Sequence, residues 1–509
     1  MKQSLILILA FVTVFLVSCD SLLDPTGTSR YPESNAPVLL APENGAQGLA
    51  SNVLLKWNKI GDINYRVQLS TAQNFSSSTI DTLIDASQLE LTQLNQNTTY
   101  YWRVKATSAK PNADAGEATP AEIHESDWSD VWNFTTSTDG TSEDGLESDI
   151  WVGAYLGSWN HYAPPTGNWG NLPTEEIDWD AFTHMYYFAF SAQSDGTLST
   201  VADYENLSPD RLNAIVPAAH ENNVPILFTV GGWGNYDGFS NAIRPGNRDN
   251  FISNLIDVMV EWNFDGIDLD MEPIQDSDVS NYIDFVKELH DTLSGISTPM
   301  KDQPLLTAAI MGSHEYMFAS LADYFDQINL MTYDYSGSWE GWISWHNSPI
   351  YSGGNTFPNT AKELPSIENT LTTFLDAGIP AGKLGIGIDF YGYVWHGHVD
   401  SPLQDWSTPP NVEDNVPYYE IMNDYYTEDN YYWDLSAGAA YISISNSNSS
   451  QNKFVSYDDK RAVSDKIKFA REKGIGGTII WELGGGYREN QPAGQKDPLL
   501  QSVKNALLQ

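Results

Sequence analysis

Eight short apolar runs recur within residues 149–509, separated by longer stretches with helix-like or loop-like patterns. The runs are Ile150–Tyr155, Thr183–Ser191, Pro225–Val230, Gly266–Glu272, Leu305–Met311, Gln327–Thr332, Leu384–Phe390 and Gly477–Glu482. Strands that are buried on both faces read as near-continuous apolar runs, and eight of them with intervening helices fit a (β/α)8 or TIM barrel. Helices are predicted at Arg248–Trp262 and Val279–Leu293, on either side of the fourth run.

Residues 36–136 show a different pattern, in which apolar and polar positions alternate. Tyr65, Val67 and Leu69 are separated by polar residues, and Tyr100 and Trp102 stand in a second alternating stretch. A period of two predicts half-buried strands. About 100 residues of short strands and frequent turn residues predict a small all-β sandwich ahead of the α/β barrel.

Three further segments complete the predicted organisation. Residues 20–35 are rich in Pro, Ser, Thr and Gly and are predicted to be a tether, and residues 137–148 are predicted to be an acidic linker. Residues 395–456, between the seventh and eighth runs, are too many for a simple crossover. They are predicted to form an insertion with structure of its own.

The first 19 residues have the pattern of an export signal. Lys2 precedes an apolar run from Leu5 to Val17 that is too short to span a bilayer comfortably. The run ends at Leu16-Val17-Ser18-Cys19, which resembles the lipobox of bacterial lipoproteins, and Cys19 is the only cysteine in the chain. The resemblance implies an exported lipoprotein of the bacterial cell envelope that is lipidated at Cys19 and anchored to a membrane. The alternative is an ordinary cleaved signal with an incidental cysteine.

The charge of the chain narrows its possible partners. It has 25 Lys+Arg against 67 Asp+Glu, a formal net charge of −42. A nucleic-acid partner is not expected, because binding one requires a basic surface that neutralises phosphates. A neutral substrate fits this charge better than an anionic polymer.

Four acidic residues stand in the fourth run, Asp265-Gly-Ile-Asp268-Leu-Asp270-Met-Glu272. Because strand side chains alternate, Asp268, Asp270 and Glu272 must share one face, whereas Asp265 has the opposite parity. Pro273 ends the run, so Glu272 is predicted at the carboxyl-terminal mouth of the barrel, where barrel enzymes keep their chemistry.

Carboxylates this close cannot all ionise freely. Neighbours on one face lie roughly 6.5 Å apart along a strand, and repulsion with burial raises the proton affinity of some of them. A carboxyl group that stays protonated is what a glycosidase needs as general acid. The alternatives are a solvated acidic loop or a site for a hard cation. No histidine or metal motif accompanies the acids, so neither a metal nor a cofactor is expected.

The sequence from Phe264 to Glu272 resembles the D-x-x-D-x-D-x-E signature of family 18 chitinases, and the resemblance covers about residues 150 to 509. It implies that Glu272 is the proton donor and later the general base. Asp270 would orient the substrate's 2-acetamido group, Asp268 would share a proton or hydrogen bond with Asp270, and Asp265 would be an outer structural support. It also implies retention of configuration by substrate assistance, through an oxazolinium formed by the acetamido oxygen.

Three other segments carry the same resemblance. Thr229-Val-Gly-Gly-Trp233 is similar to the family's S-x-G-G segment, Met331-Thr-Tyr-Asp334 to its M-x-Y-D segment, and Trp481 to the tryptophan beneath the −1 sugar. Tyr333 would be catalytic, holding the acetamido carbonyl as charge develops. The predicted substrate-binding residues are Tyr155, Gly231, Gly232, Trp233, Met331, Asp334, Trp339, Tyr391 and Trp481.

Two resemblances concern the remaining domains. Leu94–Tyr100 resembles the tyrosine corner of fibronectin type III domains, and the insertion resembles the α+β domain of chitinases with a deep groove. Tyr393 departs from the pattern, since many relatives have arginine there.

The implied activity is that of a monomeric chitinase that hydrolyses β-1,4 linkages in chitin or chitooligosaccharides. An endo-β-N-acetylglucosaminidase acting on N-glycan cores would use the same acids, but that subgroup usually lacks the insertion. A catalytically silent chitin-binding protein would typically lack the acid at Glu272, which is present here.

Overall fold

The computed structural model describes residues 36–507, apart from residues 43, 50–52, 61–63, 77–78, 92–93, 96, 108–124, 137–148, 161–171, 200–208 and 493. The predicted signal, Cys19, the tether and the linker therefore lie outside the described residues. The chain divides into two compact units, Met1–Glu143 and Asp144–Gln509. Within the described ranges, no helix combines the length and apolar character needed to cross a membrane.

The first unit is all-β, as the alternation predicted. Its strands are β1 (Leu39–Ala41), β2 (Ala46–Leu49), β3 (Val53–Trp57), β4 (Asn64–Ser70), β5 (Ile80–Ile84), β6 (Gln88–Leu91), β7 (Thr99–Thr107) and β8 (Trp132–Thr136). They form a three-stranded sheet, β1-β3-β6, and a five-stranded sheet, β2-β8-β7-β4-β5. Trp57 of the first sheet and Val67 and Trp102 of the second lie in one buried core, so the two sheets pack face to face.

The second unit is a closed barrel of eight parallel strands, which confirms the predicted (β/α)8 fold. The strands are β9 (Trp151–Gly157), β10 (His184–Ala192), β12 (Ile226–Gly231), β13 (Gly266–Asp270), β14 (Leu305–Ile310), β15 (Gln327–Leu330), β16 (Leu384–Asp389) and β22 (Gly477–Trp481). Each pairs with the next, and β9 pairs with both β22 and β10, which closes the sheet. A two-residue strand, β11 (Leu198–Ser199), extends β10.

Helices surround the barrel strands, and one, α7 (Tyr418–Asp424), lies within the region predicted as an insertion between the seventh and eighth strands. They are α1 (Pro209–Glu221), α2 (Tyr236–Ala242), α3 (Arg248–Trp262), α4 (Val279–Leu293), α5 (Glu315–Leu321), α6 (Ile367–Asp376), α7 (Tyr418–Asp424), α8 (Lys460–Lys473), α9 (Leu483–Gly486) and α10 (Pro498–Leu507). Short 3-10 helices lie at Thr174–Glu176, Trp179–Ala181, Ala322–Tyr324, Ala381–Lys383, Glu428–Asn430 and Ser449–Gln451. Ile267 and Leu269 of β13 are buried in the same core as Phe251 and Phe285 of the flanking helices, so the apolar positions of the acidic strand face outward.

An antiparallel sheet follows the seventh barrel strand, in the region predicted as an insertion. It contains β17 (Tyr391–His396), β18 (Asn411–Pro417), β19 (Tyr431–Asp434), β20 (Ala439–Ile444) and β21 (Lys453–Tyr457), in the order β18-β17-β21-β20-β19. Its two faces differ. Tyr391, Tyr393 and Phe454 join one aromatic cluster, whereas Val455 and Tyr457 pack into the core of the barrel unit.

Candidate active site

The acidic strand places its carboxyl groups on one side, as its parity predicted. β13 ends at Asp270, two residues earlier than the predicted run, so Glu272 lies in the loop at the mouth of the barrel. Asp268 is fully buried, Asp270 is 3% exposed, and Glu272 is partly buried. The three acids therefore run from the barrel interior to its rim.

Asp268 is held by three hydroxyl groups from three other barrel strands. Tyr155 donates to Oδ2 at 2.8 Å, Thr229 donates to Oδ2 at 3.0 Å, and Thr307 donates to Oδ1 at 2.6 Å. Burial raises the pKa of Asp268, and the three donors oppose that rise because they favour the ionised form. In this structure these hydroxyls, rather than Asp270, are the hydrogen-bond partners of Asp268.

Asp270 and Glu272 form a coupled pair. Burial, together with the nearby negative charges of Glu272 and Asp268, raises the pKa of Asp270 well above its ordinary range. Burial raises the pKa of Glu272 from 4.5 to about 7, with a smaller contribution from Asp334, while the interaction with Asp270 and the main-chain N–H of Trp233 oppose the rise. The pair therefore keeps a proton near neutral pH.

One oxygen of the pair has no partner within the described part of the chain. Oδ1 of Asp270 is buried and makes no hydrogen bond. Buried polar atoms are usually satisfied, and an exception in a cleft indicates a place for a ligand's polar group. An amide N–H of a bound molecule would satisfy this oxygen.

Tyr333 lies beyond the end of β15 and stands beside the acidic pair. Its side chain is 7% exposed, and burial with the negative charges of Asp334, Asp270 and Glu272 raises the pKa of its phenol well above the ordinary value. The hydroxyl therefore stays protonated and can donate a hydrogen bond. The ring packs against Gly387, where an added Cβ would lie 2.6 Å from Cε1 of Tyr333.

Asp334 is placed by two tyrosines of the insertion sheet. The hydroxyl of Tyr391 donates to Oδ1 at 2.5 Å and that of Tyr393 donates to the same oxygen at 3.0 Å. Desolvation by the cleft walls raises the pKa of Asp334 to about 6, although the residue is exposed at the surface of the cleft. Tyr393, the residue that departs from the family pattern, thus supplies a neutral donor where arginine would supply a positive charge.

The aromatic residues predicted to contact substrate fall into two groups. Trp481 is partly exposed and rests edge-on against Phe188 at 4.7 Å between ring centroids, and Trp233 and Trp339 are 72% and 50% exposed. Tyr155 and Tyr391 are each 1% exposed. Because Tyr155 and Tyr391 are buried, they offer no ring surface to a ligand. Their hydroxyls instead donate hydrogen bonds to Asp268 and Asp334. We therefore interpret them as positioning residues. The remaining predicted contact, Met331, is partly buried beside Trp481.

Gly231 and Gly232 bring the third strand against the acidic strand. Gly231 has φ of +114° and pairs with Asp270, and the N–H of Gly232 donates to the carbonyl oxygen of Asp270 at 2.7 Å. A Cβ on Gly231 would lie 1.9 Å from that carbonyl oxygen, and one on Gly232 would lie 2.5 Å from the ring of Phe188. Both positions require glycine, for conformation and for space.

Replacing Gly231 by alanine is expected to lower the melting temperature more than Gly234→Ala does. Gly234 also has positive φ, at +92°, but nothing lies within 4 Å of its added Cβ, so that variant isolates the conformational cost of about 1–2 kcal/mol. Gly231→Ala adds the clash with the main chain of Asp270. Differential scanning calorimetry of both variants tests this, and equal melting temperatures would contradict it.

Asp265 lies outside the site, as its parity indicated. Its buried carboxylate bonds to Nε2 of His220 at 2.8 Å and accepts main-chain N–H groups of Ile226 and Met300, each at 3.0 Å, and the hydroxyl of Thr298 at 2.9 Å. These contacts tie the start of β13 to its neighbours. The placement supports the structural role that the resemblance implied.

A buried charged network behind Asp334 was missed by sequence reasoning. Lys466 donates to Asp389 at 3.0 Å and also to Asp458, and burial with the charge of Asp389 raises the pKa of Asp458 well above its ordinary range. Asn347 donates to Asp389 at 2.7 Å and accepts the main-chain N–H of Asp334 at 3.1 Å. The network joins the barrel, the insertion and α8, and no local signal marks Lys466 as buried.

A second missed group is Glu482, which follows Trp481. Its side chain is 1% exposed, accepts hydrogen bonds from Asn160 and from the N–H of Gly484, and burial raises its pKa to about 8. Glu482 is thus mainly neutral near pH 7 and supports the turn behind the tryptophan. Among the described residues, no cluster of three or more His, Cys, Asp and Glu side chains is arranged to hold a metal ion.

Comparison with known proteins matches the barrel unit. The model of the family "Glycosyl hydrolases family 18" matches residues 152–486, more than half of the chain. The chain is 30% identical over 293 residues to Chitinase A1 of Niallia circulans, a match that covers 52% of this chain and 41% of that protein. It is 25% identical over 358 residues to Endochitinase 1 of Metarhizium robertsii, covering 62% of this chain and 79% of that protein.

The solved structures agree on the fold. The Group IV chitinase of Ostrinia furnacalis superposes with a TM-score of 0.60 at 24% identity, covering 71% of this chain and all of that one. The family match agrees with the closed barrel and with the acidic strand at its mouth. The chain belongs to family 18 of the glycosyl hydrolases.

Proposed function

We propose that this protein is a chitinase that hydrolyses β-1,4 linkages between N-acetylglucosamine units. The observation that carries the proposal is the coupled pair Asp270 and Glu272, which retains a proton at the barrel mouth beside the phenol of Tyr333. The pair supplies a general acid, and Tyr333 with the unpartnered oxygen of Asp270 offers one donor and one acceptor to an acetamido group. The chitinase names of the relatives support the same substrate class.

The proposed reaction proceeds with retention. Glu272 gives its proton to the glycosidic oxygen while the acetamido oxygen attacks C1, which breaks the glycosidic bond and forms an oxazolinium. Asp270 accepts the acetamido N–H and stabilises the positive charge. Tyr333 donates to the acetamido oxygen. The ionised Glu272 then takes a proton from water, which attacks C1 and reopens the ring.

A product analysis tests this function. Chitopentaose and a high-mannose glycopeptide are offered separately to the protein, and early products are followed by proton NMR and mass spectrometry. We expect cleavage of chitopentaose with the β-anomer formed first. Cleavage of the glycopeptide alone would replace chitinase with endo-β-N-acetylglucosaminidase, and an initial α-anomer would contradict retention.

The value of kcat/KM is expected to decrease as the pH rises through neutrality. Since the pKa of Glu272 is raised to about 7, its carboxyl group is protonated below that pH and loses the proton above it. We expect kcat/KM for chitotetraose to fall about tenfold per pH unit above about pH 8, with the midpoint of the limb near 7. Rates are measured across buffers of constant ionic strength, with circular dichroism confirming the fold. A midpoint near 4.5 would contradict the raised pKa.

Two proposals concern the N-terminal part of the chain. We propose that Cys19 carries a lipid that anchors the protein to a membrane of the bacterial cell envelope, a proposal supported by its sequence context. Release of Cys19→Ser protein from the membrane fraction would test it. We also propose that residues 36–136 form a fibronectin type III-like spacer, supported by the main-chain N–H of Asn95 donating to the hydroxyl of Tyr100 at 2.9 Å.

A further inference from the structure

A cavity of about 510 Å³ opens between α7, the start of α8 and α10. Its lining includes four tyrosines and a methionine together with the guanidinium of Arg488. The lining contains none of the active-site residues Asp268, Asp270, Glu272, Tyr333 and Trp481, so the cavity is separate from the candidate active site.

The insertion sheet separates the cavity from the cleft. Tyr457 of the cavity wall pairs with Gly392 of β17, on the face that also carries Val455. The neighbouring positions Tyr391 and Tyr393 point the other way, toward Asp334. One sheet thus presents tyrosines to the cleft on one face and to the cavity on the other.

The cavity walls suit the apolar face of a sugar ring. Tyr418 and Tyr457 are each 3% exposed, so they form the base of the cavity and leave the ring surface to Tyr426 and Tyr431. Tyr426 and Tyr431 are partly buried and meet edge to face, with ring centroids 6.2 Å apart. Flat rings with the flexible side chain of Met422 provide an apolar surface bordered by hydroxyl groups, as saccharide sites do.

The polar groups of the cavity leave a donor open. Nε of Arg488 is buried and has no hydrogen-bond partner among the described residues, while its Nη2 reaches Asn423 at 3.2 Å. The carboxylate of Asp459 is already occupied, because it accepts from the hydroxyl of Tyr431 at 2.8 Å and from the N–H of Ala462 at 2.8 Å. A buried N–H without a partner calls for a carbonyl or hydroxyl oxygen from a ligand.

The charge of the cavity wall is mixed. Asp459 lies in the wall together with the cationic side chains of Lys460 and Arg488. The net charge of −42 on the whole chain disfavours an anionic polymer. The carbonyl oxygen of an N-acetyl group satisfies Arg488 without adding negative charge.

We propose that this cavity is a second saccharide site, which binds a short neutral N-acetylated oligosaccharide through the tyrosine walls and Nε of Arg488. The inference rests on the proposed chitinase function, because it assigns the cavity to the same polymer. A site behind the insertion sheet would hold a chitin chain apart from the chain being cleaved.

Two methionines allow the two sites to be observed separately in one protein. The methyl group of Met422 reports on the cavity and that of Met331 on the cleft. The full-length Glu272→Gln protein, which cannot consume the ligand, is labelled with 13C-methyl methionine and titrated with chitotriose. We expect both resonances to shift. Arg488→Leu in the same background should weaken the response of Met422 at least tenfold and leave that of Met331 unchanged, which also shows that the variant is folded.

The outcomes separate the inference from the proposed function. A shift of Met331 alone would overturn the second site and leave the chitinase proposal standing. A shift of neither resonance would contradict both. Cellotriose, which lacks the N-acetyl groups, is the matched ligand, and an equal response of Met422 to it would overturn the assignment to an N-acetylated sugar. Tyr426→Ala should weaken the Met422 response as Arg488→Leu does.

Discussion

Replacing Glu272 by glutamine is expected to lower kcat for chitooligosaccharides by ~10²–10⁴-fold, the usual contribution of a positioned general acid. Glutamine preserves the size and hydrogen bonding of the neutral carboxyl group but has no proton to transfer. Because Glu272 is protonated below its pKa of about 7, the amide resembles the reactant form and binding should change little. Single-turnover and steady-state rates with chitopentaose measure the change.

Glu482→Gln is the matched control for this substitution. Glu482 is also a buried carboxyl group near the barrel mouth, with its pKa raised to about 8, so glutamine replaces its neutral form as well. It stands behind Trp481, and we expect its variant to keep kcat within about threefold of the original. Full activity in Glu272→Gln, or an equal loss in Glu482→Gln, would contradict the assignment of the general acid.

The stability of the Glu272→Gln protein should rise relative to the original above neutral pH. The pKa of this group is raised from 4.5 to about 7 by folding, so the folded protein binds the proton more tightly than the unfolded chain. Deprotonation therefore costs stability as pH rises beyond 4.5, and the full cost is present above about 7. Glutamine carries no such cost, which distinguishes loss of catalysis from loss of fold.

The sequence predicted the elements that depend on local pattern. The eight apolar runs became the eight barrel strands, and Arg248–Trp262 and Val279–Leu293 are helices with the predicted bounds. Strand parity also placed Asp268 and Asp270 inward and Ile267 and Leu269 outward. These features follow from periodicity along one strand or helix, which a single sequence contains.

Contacts between distant segments could not be predicted from the periodicity of single strands and helices. Asp268 depends on Thr307 from the next strand, and Asp389 depends on Lys466, 77 positions along the chain. Such pairs are fixed by strand register and by how far each side chain reaches across the barrel. For the same reason, the sequence could not show that Tyr155, which is predicted as a sugar contact, is buried and donates its hydroxyl to Asp268.

Removing the hydroxyl of Tyr333 is expected to reduce kcat for chitopentaose by ~10²–10³-fold, the effect of deleting one donor that meets developing charge. The phenol stays protonated because burial and the negative charges of nearby acids oppose its ionisation. In Tyr333→Phe the ring still packs against Gly387, so the cleft keeps its shape and KM should change far less than kcat. Steady-state kinetics of the variant measure both constants.

Tyr391→Phe is the corresponding control. It removes a hydroxyl from the same aromatic cluster, but at a residue that is not expected to contact the reacting atoms. Its hydroxyl serves Asp334 rather than the acetamido group, and Tyr393 still donates to that carboxylate. We therefore expect a smaller loss. If Tyr333 and Glu272 act on one transition state, the kcat of the double variant Glu272→Gln/Tyr333→Phe should fall by less than the product of the two single-variant decreases. Equal losses in the two phenylalanine variants, or independent effects in the double variant, would place Tyr333 outside the chemical step.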